Sequence, residues 1–324
     1  MTYDIELQVA KSALRQAALL TSGIQKKLLK KDVLEKEDRS PVTVADFGSQ
    51  ALVNQILAES FPADPMIAEE GSAALKEEEN QALKARLEEE IGKLSDLKEE
   101  AILKAIDHGR VETGTIPERF WTLDPIDGTK GFLRGDHYAI ALALIEKGKV
   151  RAAALACPNM LLPSGEKGLL MLASEYKETV YTSLFSDGPE EKTQEKKALD
   201  FQNALICESV ESGHTSHSRS ALIKESLGIT KEPYRIDSQC KYAAVALGLA
   251  NIYLRLPSQK GYKEKIWDHA AGKMIVERAG GAVTDTLGNP LDFTTPPLLS
   301  NNLGVVASKN IDHARLIEAV KNSE

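Results

Sequence analysis

The chain has 324 residues, of which 42% are hydrophobic and 27% charged, and its formal net charge is −8. This balance excludes a largely disordered chain and fits two packed domains or one large layered domain. The acidic charge argues against a protein that grips a nucleic-acid duplex, and no apolar run is long enough to predict a membrane-spanning helix. The first residues lack the apolar core of a signal peptide, so we expect a cytoplasmic protein.

Helical periodicity dominates the first third of the chain. Apolar residues at helical spacing predict a first helix within 5–30, and a second helix is expected to follow Asp46, after the break at 40–43. Residues 72–106 are rich in Glu, Lys and Leu and predict one amphipathic helix or two, packed on the domain. A coiled-coil seam is the alternative, but the stretch is too short to sustain heptads.

Strand-like runs begin at residue 120. Two of them, 138–145 and 150–156, are joined by a Lys-Gly-Lys turn and predict a hairpin. Further strands are expected at 120–123, 169–173, 179–184, 204–207, 251–256, 281–284 and 304–307. Helices are expected between them, at 241–249, 269–278 and 312–320, and the polar stretch 186–197 predicts a surface loop. The mixture indicates layers of sheet and helix, with a boundary near 155–170.

The three cysteines of the chain carry no motif. Cys157, Cys207 and Cys240 are far apart and odd in number, which fits neither a zinc site nor a disulfide framework. We expect buried, reduced thiols that behave as small hydrophobic side chains.

The densest chemical signal is the run Trp121–Phe132, WTLDPIDGTKGF. A hydrophobic strand delivers Asp124 to its end, and the following proline turns the chain so that Asp127 falls on the same side of a tight loop. Gly128 permits close approach of the backbone to a ligand, and Thr129 offers a hydroxyl and an N–H. Such a set suits a hard divalent cation bridged to a phosphate. The alternative is an ordinary pair of aspartate turns, but the density of the run favours a metal site.

Three other acids stand at informative places. Asp46 lies at the start of a predicted helix, Glu69 follows a short apolar stretch, and Asp268 precedes another predicted helix. Taken singly, Asp46 and Asp268 are typical of helix caps, and Glu69 is typical of a solvated loop.

In this order, the acids resemble the pattern of the inositol monophosphatase superfamily of lithium-sensitive, magnesium-dependent phosphatases. The resemblance extends over almost the whole chain and ends with the Gly280–Asp285 and Gly288–Phe293 segments. Within the superfamily the chain looks most like the branch that hydrolyses 3′(2′),5′-bisphosphate nucleotides, because Lys-Gly-Phe follows its Asp-Gly-Thr motif. The insertion at 72–118 also resembles the longer eukaryotic members of that branch. One departure is Ala68, where many relatives carry glycine.

The resemblance implies a fold. We expect an α+β or α/β protein, built as the layered αβαβα sandwich of the sugar phosphatases. An N-terminal α+β domain at 1–160, with the helical insertion at about 72–118, would carry most of the metal ligands. A C-terminal α/β domain at 161–324 would carry Asp268 and the nucleotide-binding residues. We expect a monomer.

The resemblance also implies a metal site. Two or three magnesium ions would be held by Glu69, Asp124, Asp127, Asp268 and the carbonyl oxygen of Ile126. So many carboxylates need cations, because like charges a few ångströms apart raise one another's pKa. Asp46 and the Thr129 hydroxyl would orient or deprotonate the attacking water, and the N–H groups of Gly128 and Thr129 would hold the phosphate.

The implied substrate pocket includes Asp268, with His214, Ser238, Lys241 and Arg255 at the positions that touch adenosine and its 5′-phosphate. His217 is an alternative to His214. A lysine and an arginine suit a second phosphate, which an inositol ring with one phosphate does not demand. Singly, Lys241 is also typical of a solvated helix start, and Arg255 of a strand arginine paired with a surface acid.

The implied reaction is removal of the 3′-phosphate of 3′-phosphoadenosine 5′-phosphate, giving AMP and phosphate. The 2′ isomer and 3′-phosphoadenosine 5′-phosphosulfate are expected as further substrates, in sulfur assimilation, with inhibition by lithium. The alternative enzyme is an inositol phosphate phosphatase with the same metal chemistry. A catalytically silent nucleotide sensor, or a scaffold that docks through the acidic insertion, is disfavoured because every expected catalytic position is filled.

Overall fold

The computed structural model describes residues 2–28, 33–35, 41–109, 116–194, 196–210, 217–257 and 261–323. Within these residues the chain forms a seven-stranded sheet, a five-stranded sheet and a separate two-stranded pair. The pair joins β1 (Val33–Glu35) to β2 (Pro41–Thr43) in antiparallel register. None of the described helices is both long and apolar enough to cross a bilayer.

The N-terminal helices cover one face of the larger sheet. Helices α1 (Asp4–Gln25) and α2 (Val44–Ser60) pack on each other, α1 against the middle strands and α2 against β4 (Arg119–Asp127). An alanine- and leucine-rich stripe of α1 is buried in this contact. Both predicted helices are confirmed, but the second begins two residues before Asp46 because Thr43 supplies its N-cap.

The insertion forms two helices, α3 (Gln81–Ile91) and α4 (Glu99–Asp107), which follow two short 3₁₀ turns, Ala74–Lys76 and Glu78–Asn80. Both helices pack on α2 through buried aliphatic residues, so the prediction of an insertion packed on the domain is confirmed. Glu89, Glu99 and Glu100 are exposed, as expected for the outer faces of amphipathic helices, whereas Glu90 is buried and pairs with Arg86.

The larger sheet runs in the order β3-β4-β5-β6-β7-β8-β9. Its other strands are β3 (Met66–Ala68), β5 (Ala139–Glu146), β6 (Lys149–Leu161), β7 (Lys167–Ser174), β8 (Lys177–Ser183) and β9 (Glu191–Lys192). Alternate residues of β5 enter two different hydrophobic cores, which shows that both faces of the sheet are covered. The predicted domain division at 160 falls inside this sheet, since β7, β8 and β9 continue it, and β9 lies in the stretch predicted as a loop.

The smaller sheet runs in the order β11-β10-β12-β14-β13. Its strands are β10 (Ile206–Glu208), β11 (Tyr234–Arg235), β12 (Ile252–Arg255), β13 (Ala282–Thr284) and β14 (Val305–Ser308). Four further helices belong to this part of the chain: α6 (His217–Leu227), α7 (Cys240–Leu247), α8 (Ala270–Arg278) and α9 (His313–Lys321).

The two sheets enclose a layer of helices. Residues of α7 and α8 share one core with residues from both sheets, whereas residues of β12, β14 and α9 meet in a core on the far side of the smaller sheet. The layers are therefore α1 and α2, the seven-stranded sheet, α7 and α8, the five-stranded sheet, and α6 with α9. This order confirms the predicted αβαβα sandwich. The three cysteines are buried and unbridged, as expected.

Candidate active site

Glu69, just after β3, and Asp124, within β4, lie side by side in the larger sheet. Strands β3 and β4 are parallel, and Ala68 is paired with Leu123, so the next residue of each strand is a carboxylate. Carboxyl ends of neighbouring parallel strands meet at one edge, which brings the two acids together. Asp124 is only 1% exposed.

An irregularity in β4 brings Asp127 to the same place. The pairing of β4 with β5 shifts register between Asp124 and Asp127, and such a bulge re-aims side chains beside it. The N–H of Ile126 donates to Asp124 Oδ1 at 3.1 Å, and Ser49 Oγ donates to the Pro125 carbonyl at 2.9 Å. The local hydrogen bonds therefore fix the bulge that directs both aspartates into one cavity.

Gly128 follows the bulge and starts a single helical turn, α5 (Thr129–Leu133). Its φ of +87° lies in the left-handed region, and a Cβ atom there would stand 2.8 Å from the Cβ of Ser238. Glycine is therefore required both for the turn and for the close approach of the next segment. Thr129 Oγ1 donates to the carbonyl oxygen of Ile126 at 3.3 Å.

Asp268 reaches the same cavity from the second half of the chain. Helix α8 begins at Ala270 with His269 at its N-cap position, and no described side chain caps it, so Asp268 is not a helix cap. Oxygen atoms of Asp124, Asp127 and Asp268 lie within 4.8 Å of one another. The predicted convergence of acids from both halves is thus present in the fold.

The cavity has a volume of about 280 Å³. We call Glu69, Asp124, Asp127 and Asp268, with the start of α5, the acidic wall. The cationic wall comprises Lys241 of α7 with Tyr253 and Arg255 of β12. The lining residues of the cavity are Glu69, Asp124, Ile126, Asp127, Gly128, Thr129, Lys130, Gly131, Ser209, Asp237, Ser238, Lys241, Tyr253, Arg255, Tyr262, Lys265, Trp267, Asp268 and His269.

The acidic wall is electrostatically strained. Burial raises the pKa of Asp124 well above its ordinary value, and four neighbouring carboxylates raise it further: Glu69, Asp127, Asp268 and Asp46. Burial likewise raises the pKa of Asp268, with a further contribution from Asp127. A cation among these oxygens would relieve the repulsion, and an all-oxygen set is what magnesium prefers. The donor set therefore fits a divalent metal.

Lys241 belongs to the cationic wall and is buried. Although it lies in the first turn of α7, it is only 3% exposed, so it is not the solvated helix start that its sequence position alone would indicate. Its Nζ donates to Ser209 Oγ at 3.1 Å and lies 5.3 Å from the centroid of the Tyr253 ring. Burial lowers the pKa of Lys241, and the carboxylate of Asp127 opposes that shift.

Arg255 ends β12 and also lines the cavity. It pairs with an acid, as a strand arginine often does, but that acid is Glu264, which is 4% exposed rather than on the surface. Burial alone would raise the pKa of Glu264, but His269 and Arg255 outweigh it and lower the pKa to about 2. The alternative, an arginine paired with a surface acid, is therefore not what the structure has, since the partner is a buried acid that the sequence pattern did not indicate.

The segment before α7 joins the two walls. Ser238 has a φ of +63°, and the N–H of Gln239 donates to Asp127 Oδ2 at 2.5 Å. The side-chain amide of Gln239 donates to the Trp267 carbonyl at 3.0 Å. Asp237 forms an ion pair with Arg134, beyond the end of α5. These contacts tie both halves of the site together, and only tertiary packing reveals them.

Three residues considered in the sequence analysis, Asp46, His214 and His217, are not part of the cavity as described. The cavity lining, taken over the described residues, leaves out Asp46: it is the third residue of α2, and its Oδ2 accepts from the N–H and the hydroxyl of Thr43 in a capping box, at 2.8 and 2.6 Å. It is still close enough to raise the pKa of Asp124. His214 lies outside the described residues, and so does the side chain of His217, the first residue of α6.

The comparisons with known proteins agree with this fold. The model of the inositol monophosphatase family matches residues 3–324. This chain belongs to the inositol monophosphatase family. Two similar relatives are a 3′(2′),5′-bisphosphate nucleotidase from Schizosaccharomyces pombe, 40% identical over 98% of this chain and 96% of its own length, and one from Oryza sativa, 41% identical over 99% and 95%.

Solved structures of the inositol monophosphatase family share the fold at low identity. The extragenic suppressor protein SuhB from Bartonella henselae is 17% identical, with a TM-score of 0.67 over 98% of this chain and 99% of that one. CysQ from Bacteroides thetaiotaomicron is 21% identical, with a TM-score of 0.62 over 96% and 99%. The layered fold is thus common to members whose sequences have diverged widely.

Proposed function

We propose that this member of the inositol monophosphatase family is a 3′(2′),5′-bisphosphate nucleotidase. It would remove the 3′-phosphate of 3′-phosphoadenosine 5′-phosphate to give AMP and phosphate, and act also on the 2′ isomer and on 3′-phosphoadenosine 5′-phosphosulfate. The observation that carries the proposal is one cavity lined both by carboxylates and by two cations, the buried Lys241 and the mostly buried Arg255. The names of the relatives at about 40% identity support it.

The acidic wall would hold the metal and the scissile phosphate. The ligands would be Glu69, Asp124, Asp127, Asp268 and the carbonyl oxygen of Ile126. Bound magnesium supplies Lewis-acid stabilisation of the phosphate charge and lowers the pKa of water. The N–H groups of Gly128 and Thr129 would hold phosphate oxygens, because backbone donors at the start of a helical turn suit anions.

The attacking water would be oriented by this chain's own residues. Thr129 is one of the residues that line the cavity, and Asp46, in the first turn of α2, is close enough to Asp124 to raise its pKa. Thr43 already donates twice to Asp46 Oδ2, so this carboxylate is held in one orientation and can accept a proton or orient a hydroxyl group.

The cationic wall would bind the rest of the substrate. Ser238, Lys241 and Arg255 would contact the adenosine and its 5′-phosphate, with Asp268 at the junction of the two walls and with His214 or His217 as a further contact. A lysine and an arginine in one cavity can together neutralise a dianionic phosphate. Two or three magnesium ions, inhibition by lithium, a monomeric state, a cytoplasmic location and a role in sulfur assimilation remain parts of the proposal.

Phosphate release tests this function directly. With magnesium present, we expect kcat/KM for adenosine 3′,5′-bisphosphate to exceed that for inositol 1-phosphate by at least ~10-fold, because only the nucleotide offers the cationic wall a second phosphate. Equal or better turnover of the inositol ester would favour the alternative, an inositol phosphate phosphatase. Lys241→Met should reduce this preference while sparing the inositol ester.

A further inference from the structure

We infer that Glu264 is a positioning residue that sets substrate specificity by holding Arg255 in place for the second anionic group. This inference rests on the proposed function and goes beyond it, because Glu264 has no role in the metal site or in direct substrate contact. The cavity lining includes Arg255 but, among the described residues, leaves out Glu264, which lies behind the guanidinium.

The contact between the two side chains is made at two points. Arg255 Nε lies 3.2 Å from Glu264 Oε1, and Arg255 Nη2 lies 3.1 Å from Glu264 Oε2. Two roughly parallel N–H···O contacts fix the plane of a guanidinium as well as its place. A single contact, or none, would leave the arginine free to rotate about its long side chain.

Glu264 is itself held from behind. Its Oε2 lies 3.2 Å from His269 Nε2, and His269 Nδ1 lies 2.7 Å from the hydroxyl of Tyr242. Tyr242 is fully buried in α7, where its ring meets that of Tyr253 edge-on at 5.0 Å. The orientation of Arg255 is therefore set by a chain of contacts that ends in the helix layer between the two sheets.

These contacts also indicate that Glu264 is a partner of Arg255 and not a metal ligand. Oxygen or nitrogen atoms of Glu264, Asp268 and His269 lie within 4.8 Å of one another, a spacing that would suit a metal. Both carboxylate oxygens of Glu264, however, already accept from Arg255 or His269. With a pKa lowered to about 2, the carboxylate remains ionised, and its partner is the arginine.

The consequence is specific to substrates with two anionic groups. A properly oriented Arg255 helps only a substrate that offers it an anion, whereas the carboxylate wall acts on every phosphate ester. Loss of Glu264 should therefore lower kcat/KM for the bisphosphate substrate and leave kcat/KM for a monophosphate nearly unchanged. A purely structural role for Glu264 would instead reduce turnover of both.

The test compares adenosine 3′,5′-bisphosphate with adenosine 3′-monophosphate on the full-length chain. In Glu264→Gln we expect kcat/KM for the bisphosphate to fall ~10-fold or more, mainly through KM, and kcat/KM for the monophosphate to change less than ~3-fold. In an Arg255→Gln background the same substitution should have little further effect, since the arginine it positions is gone. Glu90 is another buried and ion-paired glutamate, and it lies in the insertion. Glu90→Gln is therefore the matched control and should leave kcat/KM unchanged for both substrates.

The outcomes separate this inference from the function on which it rests. A wild-type enzyme without preference for the bisphosphate overturns both. A wild-type preference that survives Glu264→Gln, or an equal loss on the two substrates, overturns the positioning role alone. If Glu264→Gln does not fold, Glu264→Asp keeps the charge but withdraws it by one methylene, and the same selective loss on the bisphosphate is expected.

Discussion

Gly128 is a residue at which an added methyl group meets two separate obstacles. Its φ is +87°, and the methyl would stand 2.8 Å from Ser238 Cβ, on the segment that closes the cavity. Gly135 shares the first obstacle, with φ of +78°, but has nothing within 4 Å of an added Cβ. Comparison of the two alanine variants therefore separates backbone strain from collision.

We predict that Gly128→Ala and Gly135→Ala each lose about 1 kcal/mol of stability through left-handed strain. Only Gly128→Ala should also lose activity, by ~10-fold or more, because Ser238 and its neighbours must move away from α5. Thermal unfolding and kcat/KM measured on both variants check this. Equal activity in the two variants would mean that the close approach to Ser238 has no catalytic importance.

Asp124 is a residue at which stability and activity should move in opposite directions. Burial and neighbouring carboxylates raise its pKa in the folded state above the ordinary 3.8. The folded protein therefore binds this proton more tightly than the unfolded chain, and ionisation as the pH rises towards 7 opposes folding in the absence of metal. The site thus retains an Asp124 charge that serves function but destabilises the fold when no metal is bound.

We predict that Asp124→Asn loses ~10²-fold or more of kcat but unfolds at a higher temperature than the wild-type protein in EDTA at pH 7. Asp187→Asn, at an almost fully exposed acid outside the site, should change neither quantity. Unchanged activity in Asp124→Asn would contradict the metal mechanism, and a lower melting temperature in EDTA would contradict the electrostatic argument.

In the insertion, one side chain at the end of α4 binds residues at the start of the insertion. Asp107, the last residue of α4, accepts hydrogen bonds from the N–H and hydroxyl of Ser72 at 2.9 and 2.6 Å, and from Lys76 Nζ at 2.8 Å. Burial would raise the pKa of Asp107, but the bonds from Lys76 and Ser72 outweigh it and lower the pKa. The start and end of the insertion are thus joined by an ionised carboxylate.

We predict that Asp107→Asn destabilises the protein by about 1 kcal/mol at pH 7. A folded-state pKa below the ordinary 3.8 stabilises the protein above that value, and this contribution is lost as the pH falls through the folded-state pKa. The difference from wild type, measured by urea denaturation, should therefore shrink below about pH 4. Asp96→Asn, at an exposed acid between α3 and α4, is the control, and a pH-independent difference for Asp107→Asn would refute the ionic tether.

On the scale of the whole molecule, the acidic wall combines two distant parts of the chain. Glu69, Asp124 and Asp127 come from the larger sheet, and Asp268 comes from the segment before α8. A metal bound to all of them would link the larger sheet to the helix layer between the two sheets. Its binding would then stabilise the folded chain as a unit.

We predict that magnesium at 100 times its Kd stabilises the wild-type protein by about 2.7 kcal/mol, and that Asp268→Asn removes most of this gain. Glu277 is a partly exposed acid of α8 that pairs with Lys273. Glu277→Gln should keep the stabilisation by magnesium. Thermal unfolding with magnesium and with EDTA measures the gain. Full stabilisation of Asp268→Asn by magnesium would place Asp268 outside the metal site.

The sequence by itself predicted much of the local secondary structure. Helical periodicity predicted α1, α2 and the two helices of the insertion, because an apolar stripe must face a core wherever that core lies. The run around Asp124 predicted the strand and the glycine, since these depend on neighbours within a few residues. The predicted strand end was wrong, because a bulge carries β4 past Pro125 to Asp127. The resemblance to the family supplied the order of the layers and the members of the acidic wall.

The tertiary structure alone decided which charged residues are buried. Glu264 lies in a polar stretch and Lys241 at a helix start, yet they are only 4% and 3% exposed, and the Arg255 side chain is 16% exposed. The tertiary structure also showed that the larger sheet continues past residue 160, where β7 follows β6 through a short connection and pairs with it. Burial depends on residues that are remote in the chain, and no local pattern contains that information.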